Sequence, residues 1–253
     1  MTMAERAAGE VRVVADAAEV ARAGADLVVE AARQAIAERG RFTIALSGGS
    51  TPRALYTLLA TPAYREEVDW GRVEVFWGDE RCVPPDDAQS NYRMARETLL
   101  DTVPIPAGQV HRIQGEDDPG AAAEAYAAEL RAAFGTAAGQ WPRLDLVLLG
   151  MGPDGHTASL FPDTDAARIA DRLVAAPFVP HLNAHRITLT LPVLNAARLV
   201  VFLAGGADKQ AMLRTVRAAG TTGDPALPSS LVHPTPGTLL WLVDRAAVGE
   251  GAA

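Results

Sequence analysis

A single cysteine, Cys82, serves the whole chain of 253 residues, so no internal disulfide can form and an oxidising compartment offers nothing. On its own it reads as a small, half-buried hydrophobe. Histidines number five, and none stands at zinc-ligand spacing from another histidine or from the cysteine, so neither a metal nor a cofactor is expected. Positive charge is scarce too. Net charge is −8, and no basic stripe of the kind that grips a nucleic acid is visible. The same acidity argues against long-range steering of a phosphate-bearing substrate. Any phosphate site must be built locally, from backbone N–H groups and a few placed cations. Long hydrophobic runs are missing as well. The longest, Leu199 to Ala204, falls far short of the ~20 residues of a membrane span. Met1 to Glu10 carries Glu5, Arg6 and Glu10 but no apolar stretch of a secretory signal. The expectation is a cytosolic protein with neither a nucleic-acid nor a membrane partner.

What the chain does have is core material. Hydrophobic residues make up 49% of it, and a domain of this size hides about three-quarters of its unfolded surface. No Ser/Gly tract, charge block or Pro-rich linker divides it, so 1–253 reads as one domain, with a frayed tail over Gly249 to Ala253. Short apolar runs predict strands at Val11 to Val14, Phe42 to Leu46, Val73 to Trp77, Leu144 to Leu149, Leu199 to Leu203 and Leu239 to Val243. Between them, helical spacing predicts helices over Ala17 to Arg39 (stopped by Gly40), Arg53 to Leu59 (Pro52 in its first turn), Tyr92 to Leu100 (capped by Ser90), Ala121 to Phe134 and Lys209 to Arg217. Asp79, Glu80 and Arg81 are expected in a long loop. Ile187 to Leu191 alternates apolar residues with threonine, as an antiparallel or edge strand does. The alternation predicts an α/β fold: a doubly wound, mostly parallel sheet with helices on both faces and a small antiparallel addition. In such folds ligands sit beyond the carboxyl ends of the strands.

Three glycine-bearing turns fall at those ends. Ser47, Gly48, Gly49, Ser50 and Thr51 form a strand-to-helix turn suited to an anion, since glycines admit close backbone approach and the following helix offers free N–H groups. It lacks the Gly-Lys-Ser/Thr ending of a nucleotide-binding P-loop, which points to a single phosphoryl group. Gly150 to His156 is forced into a loop by its glycines and Pro153. His156 is placed where a helix could begin, whose dipole would keep the imidazole neutral and fit to act as a base. Asp154 could orient that ring or hold a substrate hydroxyl. Lys209 follows Gly205-Gly206 at a third strand end. Taken singly, each of these is also compatible with an ordinary structural role: a tight turn, a satisfied histidine, a solvated lysine, and an Arg81 paired with its acidic neighbours.

In combination the segments resemble the 6-phosphogluconolactonase family, in its order and at its approximate spacing, over residues 10 to 245. They are Ser47-Gly-Gly-Ser-Thr-Pro-Arg53, Trp77-Gly-Asp-Glu-Arg81 with Ser90-Asn-Tyr92, Gly150-Met-Gly-Pro-Asp-Gly-His-Thr-Ala-Ser-Leu-Phe-Pro162, and Arg186-Ile-Thr-Leu-Thr-Leu-Pro192. The resemblance implies a glucosamine-6-phosphate deaminase-like fold and hydrolysis of 6-phospho-D-glucono-1,5-lactone, the second step of the oxidative pentose phosphate pathway. It makes His156 and Asp154 the catalytic pair. Ser47 to Thr51, Asp79, Arg81, Gly155, Thr157 and Lys209 become substrate contacts, with backbone N–H groups near Gly155 stabilising an oxyanion. The related glucosamine-6-phosphate deaminases carry a glutamate five residues after the histidine, where this chain has Phe161. That favours lactone hydrolysis over deamination, and a non-catalytic sugar-phosphate sensor is the remaining alternative. Pro177 to His185 departs from the family's Lys-Pro-Pro-like segment, so no ligand contact is carried over there.

Overall fold

The computed structural model describes residues 9–219 and 223–249. Six parallel strands form the main sheet: β1 (Glu10–Val14), β2 (Phe42–Leu46), β3 (Val73–Trp77), β5 (Leu146–Leu149), β9 (Leu199–Ala204) and β10 (Thr238–Asp244), in the order β1-β10-β9-β5-β2-β3. The central strands are apolar almost throughout because both faces are covered. Every residue of β2 and of β5 is buried. The one polar residue in β2, Thr43, is satisfied by Asp145, whose Oδ2 accepts from the Thr43 amide and hydroxyl, both at 2.9 Å.

Helix α1 (Ala17–Arg39) has the bounds its spacing predicts. Asp16 caps its start by accepting from the Glu19 amide, and Gly40 ends it at φ 77°. Helix α2 (Ser50–Leu59) begins earlier than expected, so Ser50 and Thr51 form its first turn. Ser90 caps α3 (Asn91–Ala95), which runs on into a π-helical turn, Arg96–Leu100. Helix α4 (Pro119–Phe134) is capped by Asp118 and has Pro119 at its first position. Beyond β9, a 3₁₀ turn (Ala207–Lys209) leads into a helix, Gln210–Ala218.

The segment expected as a long loop after β3 is a strand instead. β4 (Asp79–Arg81) pairs antiparallel with β8 (Ala184–Leu189), Glu80 opposite Ile187, in a second sheet of order β4-β8-β6, where β6 is Val174–Ala175. A short strand β7 (Phe178–Val179) pairs with the start of β8, Phe178 opposite His185. Leu191, expected within β8, opens a short helix, Leu191–Ala196. Cys82 is half-buried, and burial pushes its thiol up, away from the reactive thiolate. Of the expected frayed tail, 250–253 lies outside the described residues, as do 1–8 of the segment read for a signal. No helix among the described residues is long and apolar enough to cross a membrane.

Candidate active site

The turns leaving β2, β5 and β9 converge on one cavity of about 230 Å³. Ser47 to Pro52 line it from the first turn, Gly150 to Gly152 with His156 and Ala158 from the second, and Leu203 with Lys209 from the third. Asp79 and Arg81 enter from β4, and Asn91 from the start of α3. This is the carboxyl end of the sheet, where the topology predicts a ligand.

The first turn is anchored from below. The Tyr56 hydroxyl, nearly two turns into α2, accepts from the Ser47 amide and donates to the Ser47 carbonyl, each at 2.9 Å. The Ser47 backbone is thereby fixed, while its buried Oγ finds no partner among the described residues. Gly49 leaves the start of α2 without a side-chain cap, and Pro52 has no N–H, so the amides of Ser50 and Thr51 remain for an anion. Gly48 permits a close approach: a Cβ there would stand 2.0 Å from Asn91 Oδ1.

His156 sits at the end of a wound loop. The Gly155 amide donates to the Gly152 carbonyl at 3.1 Å, and the Gly152 amide to the His156 carbonyl at 2.9 Å. Asp154 folds back on this loop. Its Oδ1 accepts from the His156 amide at 3.1 Å and lies 2.6 Å from His156 Nδ1. With Nδ1 committed to the carboxylate, Nε2 is the nitrogen left for a substrate. Burial alone would raise the Asp154 carboxyl, but the His156 amide and ring outweigh it and hold it below the usual range. Phe161, 5% exposed, packs against the imidazole with ring centroids 4.1 Å apart. Its far edge meets the His181 ring at 5.3 Å.

Several expectations are corrected here. No helix begins at His156. Ala158 takes φ 47°, and the Leu160 amide closes a tight turn onto the Thr157 carbonyl at 2.9 Å. The ring's electrostatic partner is therefore the Asp154 carboxylate and not a helix dipole. Gly155 and Thr157 do not line the cavity. Gly155 packs against Leu227 and Met212, and the fully buried Thr157 hydroxyl donates to the Gly150 carbonyl at 2.9 Å. The amides of Gly155 and His156 are both spent inside the loop, so neither can serve an oxyanion.

Asp79 is 8% exposed and is held by Ser159, whose hydroxyl donates to Oδ2 at 2.6 Å. Its neighbour Glu80 points the other way, as alternation along a strand requires. Glu80 accepts from the amides of Arg81, Asn91 and Tyr92 at 2.8, 2.7 and 2.8 Å and from the Ser90 hydroxyl at 3.0 Å. Burial pushes the Glu80 carboxyl up, with the amides pulling against it. Glu80 thus ties α3 to β4 and delivers Asn91, which sequence reasoning left unassigned, to the cavity. Arg81 forms no ion pair with its acidic neighbours. Its guanidinium donates to the Gln89 carbonyl. Lys209, the chain's only lysine, lies 3.3 Å from Asp208 at the mouth of the third turn.

The family model described as glucosamine-6-phosphate isomerases/6-phosphogluconolactonase matches residues 15–241. A 6-phosphogluconolactonase of Nostoc sp. is 44% identical over 242 residues, covering 95% of this chain and 97% of that protein. The human 6-phosphogluconolactonase is 42% identical over 248 residues, covering 97% and 95% respectively. Among solved structures, a 6-phosphogluconolactonase from Trypanosoma cruzi superposes with a TM-score of 0.84 at 31% identity, over 97% of each chain. A monomeric glucosamine-6-phosphate deaminase superposes at 0.78 with 17% identity, covering 94% of this chain and 98% of that one, a likeness of fold alone. Sheet order, the position of the cavity and these matches along nearly the whole length agree, and the chain belongs to the glucosamine-6-phosphate isomerase/6-phosphogluconolactonase family.

Proposed function

We propose that this protein hydrolyses 6-phospho-D-glucono-1,5-lactone to 6-phosphogluconate, with His156 activating the water. The observation that carries the reading is the His156–Asp154 pair. Its Nδ1 side is closed by a carboxylate at 2.6 Å, and the imidazole lines a cavity shared with a glycine turn, Arg81 and Lys209. The substrate phosphate lies on Ser47 to Thr51, taking first-turn amides of α2 and charge-assisted contacts from Arg81 and Lys209. That places the lactone ring toward His156.

Nε2 takes a proton from water as its oxygen attacks C1. The imidazolium that forms is stabilised by Asp154. The C1–ring-oxygen bond then breaks, and the proton passes from Nε2 to the departing oxygen, which restores the neutral ring. A lactone is already an activated ester, so positioning plus one acid/base group suffices. Phe161 supports hydrolysis over deamination, because the side chain packed on His156 is a hydrocarbon and not a carboxylate. A continuous core through both ends of the main sheet supports a single domain over 1–253, and the lone half-buried cysteine supports a cytosolic setting.

The test is acid release from freshly made 6-phosphogluconolactone, corrected for spontaneous opening, beside ammonia release from glucosamine 6-phosphate. His156→Ala should lower kcat by about 10²–10⁴-fold with KM little changed. Full turnover in that variant, or ammonia released in place of lactone opening, would overturn the proposal.

A further inference from the structure

At the opposite, amino end of the main sheet the chain gathers positive charge that the reaction does not use. Arg39 ends α1, Arg41 precedes β2, Arg143 and Asp145 precede β5, and Arg198 precedes β9. Parallel pairing draws these leading residues together: the Asp145 amide donates to the Thr43 carbonyl at 3.1 Å, and the Leu199 amide to the Asp145 carbonyl at 3.2 Å. The four arginines line a second cavity of about 240 Å³, walled on one side by Trp141 and Phe134. Thr43 and Ser47 lie at the two ends of β2, so the two cavities stand about 13 Å apart along the strand.

Local pairing does not account for all of this charge. Asp145 is engaged by its neighbours: Oδ2 accepts from Thr43, Oδ1 accepts from Arg39 Nε at 3.0 Å, and Arg198 Nε stands 3.2 Å from Oδ1 as an ion pair, though among the described residues it has no hydrogen-bond partner. Arg41 is shared between Glu74 Oε1 and the Ala133 carbonyl at the end of α4, both at 2.9 Å, a role expected of a cation at a helix C-terminus. Among the described residues Arg143 has no carboxylate partner and donates only to the Pro236 carbonyl. Its buried Nε and the buried Thr136 Oγ1 in the same wall have no hydrogen-bond partner among the described residues. Buried donors left this way cost free energy that a bound acceptor would recover. Counting Glu38 and Glu74, which pair with Arg39 and Arg41, four guanidiniums face three carboxylates. That is a local excess of positive charge in a chain of net −8.

We propose that this cavity is a second binding site, for a small phosphate monoester. The phosphate would be gripped by the guanidiniums of Arg143 and Arg198, and the organic part would lie against the Trp141 ring. Guanidinium is the side chain best matched to phosphate geometry, and an aromatic wall distinguishes an ester from the free ion.

The probes are inorganic phosphate and phenyl phosphate, titrated calorimetrically into the full chain. Two classes of site are expected. Lys209→Met should weaken the one in the active cavity. Arg143→Met should weaken the other by at least about ten-fold, the loss of one charge-assisted contact, with lactone hydrolysis unchanged. Phenyl phosphate should bind the second site more tightly than inorganic phosphate, and Trp141→Ala should remove that preference. If Arg143→Met does not fold, Trp141→Phe replaces it. A phosphate-dependent change in tryptophan emission that persists undiminished in Trp141→Phe counts against the site. A single class of site, abolished by Lys209→Met and indifferent to Arg143→Met, overturns the proposal.

Discussion

Gly152 offers a way to move the proposed catalytic pair without deleting either member. A Cβ built there stands 2.1 Å from His156 Nδ1, 2.2 Å from Cε1 and 2.7 Å from Asp154 Oδ1. No backbone atom is the obstacle, so Gly152→Ala leaves the chain able to fold and forces the imidazole and carboxylate to give way together. Ordinary contact begins at 3.4 Å, so the ring must retreat by about 1.3 Å. A misplacement of about 1 Å at a reacting group costs roughly 10²-fold in rate. Phe161 is packed on the ring with centroids 4.1 Å apart, which limits where the ring can go. Overpacking of this kind costs about 1–3 kcal/mol of stability, roughly 2–12 °C in Tm for a chain of this size. The phosphate contacts proposed on the other turns are untouched. Gly152→Ala should therefore lose about 10²-fold in kcat with KM within a few-fold of wild type, measured by acid release from the fresh lactone. Circular dichroism melting checks that the fold survives. Wild-type kcat in a folded Gly152→Ala protein would refute the argument that the present Asp154–His156 geometry performs the reaction.

Two further outcomes follow from the same site. Lys209→Met removes a single cation, worth about 1.5–3 kcal/mol if it meets a phosphate; kcat/KM for the phosphorylated lactone should fall by about 10–100-fold while unphosphorylated gluconolactone is opened as before. Equal losses on both substrates would mean that Lys209 acts on the ring end instead. Asp154 is ionised below the usual carboxylate range in the folded state. Its contribution to stability is thus complete above the unfolded value, near 3.9, and disappears as pH falls through the lower folded one. The gap in Tm between wild type and Asp154→Asn should be open at neutral pH and close in strong acid. A gap that is constant from neutral pH into strong acid would contradict this.

The main sheet was legible because its signals are local. Phe42 to Leu46 and Val73 to Trp77 are apolar but for Thr43 and Glu74, and Gly40, Ser90 and the Ala17 start mark helix ends through one or two residues. β4 was not legible. Its three residues are all charged, and it exists because β8, more than a hundred positions later, pairs with it while Asn91, Tyr92 and Ser90 satisfy Glu80. Asn91 was missed for the same reason, although it sits inside a recognised motif: only the Glu80 anchor reveals that it faces the cavity. The Asp-Gly-His loop lies where its glycines place it and Asp154 holds the His156 ring as its position suggests, but the helix dipole expected there is absent. Glycine and proline announce a loop, but nothing local announces that Ala158 turns the chain at positive φ and prevents a helix. Gly155 and Thr157 illustrate the limit of a motif, which names the residues that build a loop without separating those that face the ligand from those that hold the loop shut.

Lys209 being the only lysine gives the molecule an unusual analytical property. In most proteins an amine-directed reagent scatters over many surface lysines and reports on none. Here a single side-chain amine exists, and it lies in the cavity proposed as the active site. Apart from the terminal amine, acylation becomes a one-to-one count of accessible cavities, and protection by a bound phosphate ester becomes a direct reading of their occupancy.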